Sequence, residues 1–120
     1  MKTIAPVFTV KSVSESVAWF QQVLDFQAAY LNEEPGEADS LNYAVISNED
    51  VTIHLGRESD MDVVAGNGGC HMDTNNFDSV HERAVREGAS VYLPLHTNPA
   101  GQRSFGVKDP DGNLIAIAEA

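Results

Sequence analysis

One order of segments, a strand, a helix and three strands, runs through this chain twice, and no other feature limits its possible folds as tightly. Ile4 to Val10 alternates as a strand does. Ser12-x-x-Glu15 then fits a capping box, so a helix starts near Ser12 or Ser14. Its apolar stripe is Val13, Val17, Phe20 and Leu24, widened by Trp19 and Val23. Three strands follow: Phe26 to Asn32, Leu41 to Ser47 and Val51 to Arg57. Asn48-Glu49-Asp50 joins the last two as a hairpin. The second half opens with a strand from Gly69 to Thr74. A helix from Asn76 or Asp78 carries Phe77, Val80, Ala84 and Val85 on its apolar side and stops at Gly88. Strands Val91 to His96, Arg103 to Lys108 and Asn113 to Glu119 complete it.

A shift of 64 lays Ile4–Val10 on Gly68–Thr74, Val13 on Phe77, Phe20 on Ala84 and Leu24 on Gly88. With a two-residue gap, NEDVTIHLG (48–56) lies over PDGNLIAIA (110–118), matching Ile53 and Leu55 to Ile115 and Ile117. The polar, Gly-containing run Glu58 to Gly68 links the copies. The expected fold is α+β, with two tandem βαβββ modules forming a curved mixed sheet and the helices on its outer face. One domain spans 1–120: module one at about 4–57, linker 58–68 and module two at about 69–119. A chain of 120 residues holds one such core.

Charge narrows the partners. Eighteen acids against seven bases give a net charge of −11, a field that repels nucleic acid and anionic membranes and attracts cations. No apolar run approaches the roughly 18 residues of a membrane span. Cys70 is the one cysteine, so no internal disulfide forms. Met-Lys-Thr-Ile-Ala-Pro enters the strand pattern without the build of a signal peptide, and a cytoplasmic location is expected.

Three stretches carry a family resemblance. APVFTVKSVSESVAWFQQVLDF (5–26) joins a strand to a helix with adjacent aromatics, Trp19 and Phe20. NEDVTIHLG (48–56) is a turn and strand, and RSFGVKDPDGNLIAIAE (103–119) is a closing hairpin around Asp-Pro-Asp-Gly-Asn. In this order and spacing they resemble the glyoxalase/bleomycin resistance/dioxygenase superfamily, the vicinal oxygen chelate proteins, over nearly the whole chain. PVFTV without a histidine, NEDVTIHL and the acidic balance look like bleomycin resistance proteins. The resemblance implies a small homodimer whose clefts sequester a drug without altering it. Such proteins would use specific aromatic contacts, and NPAGQRSF (98–105) has no Trp before its Gly.

The resemblance also frames a metal test. Metal-dependent members place His, Glu or Gln ligands on the concave face, two from each module. The matching positions here are Ala5, Gly69 and Ala116, which cannot coordinate, and His54, which can. A divalent ion needs about three or four converging ligands, so no metal, and no other cofactor, is expected. Strand alternation puts His71 and Asp73 on the same face as His54, which leaves a His54/His71/Asp73 set as the alternative. His81 and His96 are expected in solvent. Asp109, Asp111 and Asn113 alternate like calcium ligands, but Gly112 precedes the third and no late Glu follows in register, so the segment reads as a turn. Cys70, with Met72 and Thr74, is placed on the helix-facing side, and AGNGG (65–69) lacks the Lys and helix of a phosphate loop.

No catalytic residue is assigned. The expected ligand-binding set is Thr9, Tyr43, Thr52, His54, His71, Asp73, Tyr92 and Arg103. Val51, Ile53 and Leu55 face the helices, which leaves Thr52 and His54 in the cleft with Val7, Thr9, Ala116 and Ala118. Ala5, Gly69, Gly106 and Ala116 leave space there, and Tyr43 and Tyr92 offer flat stacking surfaces. Tyr30 and the acidic run NEEPGEAD (32–39) would form a rim that favours a cation. The expected function is metal-free binding of a cationic or aromatic small molecule in a dimer cleft. The alternatives are a metal-dependent lyase, isomerase or dioxygenase with an unusual ligand set, and a partner-binding module.

Overall fold

Ser12 starts the first helix as its spacing predicts, its Oγ accepting from the Glu15 amide at 3.2 Å. In the computed structural model, which describes residues 1–36 and 39–120, module one is β1 (Val7–Val10), α1 (Val13–Leu24), β2 (Gln27–Glu33), β3 (Leu41–Asn48) and β4 (Val51–Arg57). A 3₁₀ turn, Glu58–Asp60, opens the linker. Module two is β5 (Gly69–Thr74), α2 (Phe77–Arg86), β6 (Ser90–Thr97), β7 (Arg103–Lys108) and β8 (Leu114–Glu119). These are the expected βαβββ modules.

The mixed sheet is carried in two four-stranded halves, ordered β1-β4-β3-β2 and β5-β8-β7-β6. In each half the first strand runs parallel to the last and the rest are antiparallel. Register preserves the repeat: Val7 faces His54, which faces Val45, as His71 faces Ala116, which faces Gly106.

Alternation splits each half into two faces. Phe8, Val10, Ala44, Ile46, Ile53 and Leu55 of module one, and Phe105, Val107, Ile115 and Ile117 of module two, are fully buried beneath the helices. Equivalent positions exchange sizes. Module one has Phe20 on its helix and Ala44 opposite Leu55, whereas module two has Ala84 on its helix and Phe105 opposite Ile117. A ring on the helix in one module is thus answered by a ring on the sheet in the other.

Several local expectations need correction. The first strand begins at Val7, not Ile4, because Pro6 has no N–H to donate; its carbonyl takes the His54 amide at 3.0 Å. Ile4 is 97% exposed. Val85 is 55% exposed because α2 buries the stripe Phe77 and Ala84, one residue and about 100° away from it. His81 lies on that stripe and is half-buried, its ring parallel to Phe77 and edge-on to Phe105 at 4.8 Å between centroids. Asn76 precedes α2 but makes no side-chain cap bond; its amide donates to Thr74 Oγ1 at 3.0 Å.

Among the described residues no strand ladder joins the two halves. The junction is built around Asn113, which is fully buried. Its Oδ1 accepts from Gly68 N at 2.7 Å, and its Nδ2 donates to Asp109 Oδ2 at 2.8 Å and to Thr9 O at 3.3 Å. Asp109 Oδ1 accepts in turn from the amides of Asp111 (3.0 Å) and Asn113 (2.8 Å). Burial pushes the Asp109 carboxyl above its ordinary value, against the lowering effect of these donors. At the far end Arg83 of α2 donates to the carbonyls of Gln22 (3.0 Å) and Gln21 (3.1 Å), two of the open carbonyls of the last turn of α1.

Two stability predictions follow from these contacts. Asn113→Asp replaces a donor with a second carboxylate against Asp109, so one of the pair must hold a proton in the fold. Its folded pKa is thereby raised, the folded state binds more protons, and stability is retained at acid pH and lost as pH rises. Thermal melts should show the variant well below wild type at neutral pH, with the gap narrowing on acidification. Ser16 Oγ is buried without a partner among the described residues. Ser16→Ala removes that cost and improves helix propensity, and urea titration should find it more stable by about 1 kcal/mol.

Candidate functional site

The face of the sheet turned away from the helices carries the candidate site. On module one, cross-strand register groups Val7, His54, Val45 and Tyr30 in one row and Thr9, Gly56, Tyr43 and Asn32 in the next. Tyr43 and His54 meet diagonally, the phenol oxygen 2.7 Å from His54 Nδ1 and the rings edge-on. With the hydroxyl donating, Nδ1 is the acceptor and the proton sits on Nε2, leaving a donor for whatever lies on this face. Thr52 shares the face, one alternation before His54.

Gly56 marks a feature that the sequence reading missed. A Cβ there would lie 2.9 Å from Met61 Sδ, so the linker lays its thioether on the sheet beside Thr9 and Tyr43. Glycine inside a strand signals such a close approach and could have pointed to it. Gly106 does the same in module two, where the Tyr92 ring covers it, 2.6 Å from where a Cβ would be. The Tyr92 ring therefore lies against the sheet at Gly106, and burial raises its phenol pKa, with Cys70 adding to the shift.

The other chosen residues divide. His71 and Asp73 project together, Nε2 to Oδ1 at 2.9 Å, both half-exposed. Thr9 is buried, with its carbonyl committed to Gly66 N and Asn113. Arg103 is not brought to this face. Its guanidinium lies 5.0 Å over the Phe77 ring of α2 and pairs with Asp78 (2.9 Å) and Glu119 (3.1 Å), which raises its pKa further and lowers that of Glu119. Cys70 packs against the core, and burial pushes its thiol up to about 11.

Two carboxylates of the expected acidic rim, Glu34 and Asp39, are latched. Arg57 binds Glu34 at 2.6 Å and Asp60 at 2.8 Å, and Asp39 accepts from Ser12 Oγ at 2.6 Å, which lowers its pKa. Glu37 and Ala38 of that run lie outside the described residues.

The residues present do not fit the metal site of the resemblance. Ala5, Gly69 and Ala116 offer no donor, and His54 is engaged by Tyr43. Among the described residues no group of three His, Cys, Asp or Glu side chains gathers around one point. A groove of about 590 Å3 opens elsewhere, where Phe26, Glu49 and Val51 of module one face Thr74, Ser79 and Arg83 of module two; of the chosen residues it reaches only Asp73.

Tyr43→Phe tests the central pair. The hydrogen bond is worth about 1 kcal/mol, so the variant should fold with a small loss, while nitrogen NMR of the His54 ring should show Nδ1 losing its donor. An unchanged Nδ1 signal would mean that the pair does not form.

A model described as the Glyoxalase/Bleomycin resistance protein/Dioxygenase superfamily matches residues 3–117. No curated protein sequence matches the chain significantly. Solved structures share the fold at low identity. TioX from Micromonospora sp. ML1 superposes with a TM-score of 0.82 at 18% identity over 99% of this chain and 98% of that one. A bleomycin-binding protein complexed with bleomycin gives 0.74 at 13% over 100% and 99%. A glyoxalase/bleomycin resistance protein from Catenulispora acidiphila DSM 44928 gives 0.73 at 21% over 98% and 97%.

Proposed function

The chain belongs to the Glyoxalase/Bleomycin resistance protein/Dioxygenase superfamily, and within it we propose a metal-free binding protein that sequesters a cationic or aromatic small molecule without altering it. The observation that carries this reading is the Tyr43–His54 pair, a polar anchor set among apolar and aromatic side chains where a metal-using relative would need several ligands. Val7, Tyr30 and Leu114 on the same faces are exposed, so one chain offers an open wall and not an enclosed pocket. A second copy closing over that wall would complete a cleft, and a homodimer is part of the proposal.

Roles follow from placement. His54 Nε2 and Thr52 supply hydrogen bonds, Tyr43, Tyr92 and Tyr30 supply aromatic surface, and Met61 supplies a soft, adaptable contact. Asp73, once free of His71, is the carboxylate best placed to meet a cation. The bleomycin-binding neighbour supports the class of ligand and leaves its identity open. The net charge of −11 supports a positively charged one. No helix of the described residues is long and apolar enough to cross a membrane, and the single, poorly acidic Cys70 suits a reducing cytoplasm.

The test is a thermal-shift screen of bleomycin, other cationic aromatic drugs and divalent metals against the purified chain. A drug present at a hundredfold excess over its Kd stabilises by about 2.7 kcal/mol and should raise Tm visibly. His54→Ala and Tyr92→Ala should keep the fold and lose most of that rise. Tight binding of a divalent metal together with metal-dependent turnover would overturn the reading in favour of a lyase, isomerase or dioxygenase.

A further inference from the structure

The linker contains the one Asn-Gly dipeptide of the chain, Asn67-Gly68, immediately before β5. Asn67 is exposed. Asparagine followed by glycine is chemically labile, because no side chain shields the next backbone nitrogen. That nitrogen attacks Asn67 Cγ; the N–Cγ bond forms, the Cγ–Nδ2 bond breaks, and ammonia leaves carrying the amide proton. Water then opens the five-membered imide at either carbonyl and yields aspartate or isoaspartate, each adding one negative charge.

The fold engages the attacking atom. Gly68 N donates its proton to the buried Asn113 Oδ1 at 2.7 Å, and Gly68 O accepts from Leu114 N at 3.0 Å. Attack on Asn67 requires the first of these bonds to break and the peptide plane to turn. Space is also committed: a Cβ on Gly68 would lie 2.6 Å from Phe8 Cδ1 and 2.9 Å from Asn113 Oδ1. Isoaspartate would add a backbone carbon next to this residue, between module one and module two, with no room to absorb it.

We propose that Asn67 is a deamidation site held in check by Asn113, so that its modification proceeds when the module junction opens and then keeps the junction from closing properly. The inference concerns the junction and stands whether or not the open face binds a drug. It makes Asn67 a chemical record of junction opening, with Asn113 as the residue that sets the rate.

The experiment incubates the full chain at mildly alkaline pH and follows the one-dalton gain by mass spectrometry of the tryptic segment Glu58–Arg83. A synthetic peptide of residues 62–73 provides the unrestrained rate. The native chain should react at Asn67 about tenfold more slowly than the peptide or slower, the worth of one ordinary hydrogen bond in a barrier. Asn113→Ala should bring the rate toward the peptide value while Asn75 and Asn76 of the same segment stay unreactive. If that variant is unfolded by circular dichroism, hydrogen exchange in the native chain replaces it, and the Gly68 amide should be strongly protected. Isoaspartate-67 protein, separated from the unreacted form, should melt at a lower temperature. Deamidation of the native chain at the peptide rate, an unprotected Gly68 amide, or an unchanged Tm of the isoaspartate form would each overturn the proposal.

Discussion

One buried amide side chain holds together three parts of this molecule that lie far apart in sequence. Asn113 contacts three separate parts of the chain at once: β1 through Thr9 O, the linker through Gly68 N, and its own turn through Asp109. An amide suits the place because it accepts on one side and donates on the other, whereas a carboxylate or a methyl would leave buried partners unmatched. Removal of one such partner costs more than a surface hydrogen bond is worth, because Gly68 N and Thr9 O would stay desolvated. The Asp-Pro-Asp-Gly-Asn segment therefore does more than reverse the chain before β8. It holds the linker against β1, where Gly66 takes a positive φ of 90° and a Cβ would collide with the Asp111 carbonyl.

With the modules joined in this way, the repeat makes a symmetric scaffold that carries an asymmetric site. The equivalents of Val7, His54 and Val45 in module one are His71, Ala116 and Gly106 in module two. Within these equivalent positions each module has one histidine, but on different strands and with different partners, a phenol for His54 and a carboxylate for His71. The glycines differ as well: Gly56 admits a thioether from the linker, while Gly106 admits an aromatic ring from the neighbouring strand. Duplication fixes where side chains can point, and these few substitutions decide which groups the two walls expose.

The parts legible in the sequence are those that periodicity governs. The two helical stripes and the alternation of the strands placed both helices and all eight strands, because burial on one face imposes a period that survives substitution. Tyr43, His54, His71 and Asp73 fell on the open face for the same reason. The same alternation carries Arg103 onto the helix side with Phe105 and Val107, away from the cleft where it was expected. Partners that reach across the fold could not be read this way: Phe77 and Asp78 meet Arg103 because of where α2 lies. Met61 comes from a non-periodic linker and is betrayed only by the glycine beneath it. The clamp around Asn113 joins residues 104 positions apart, and turn chemistry alone explains why the segment bends, not what it holds.

The acidic character of the chain also looks different once its carboxylates are placed. Glu34 and Asp60 are bound to Arg57, Asp39 to Ser12, Asp73 to His71, and Asp78 and Glu119 to Arg103. Those groups are engaged within the fold and would have to exchange partners to touch a ligand. The charge of −11 also acts on a cation as a long-range field, which raises the rate of encounter and fades within about 10 Å at moderate salt. Under the proposed function, contact with the ligand would rest on the His54–Tyr43 pair and the ring of Tyr92, with Asp73 joining them once it leaves His71. Such a division leaves capture sensitive to salt and leaves selectivity to shape and hydrogen bonding. It is consistent with a wall that meets its ligand through aromatic surface and polarity, with the net charge working at a distance.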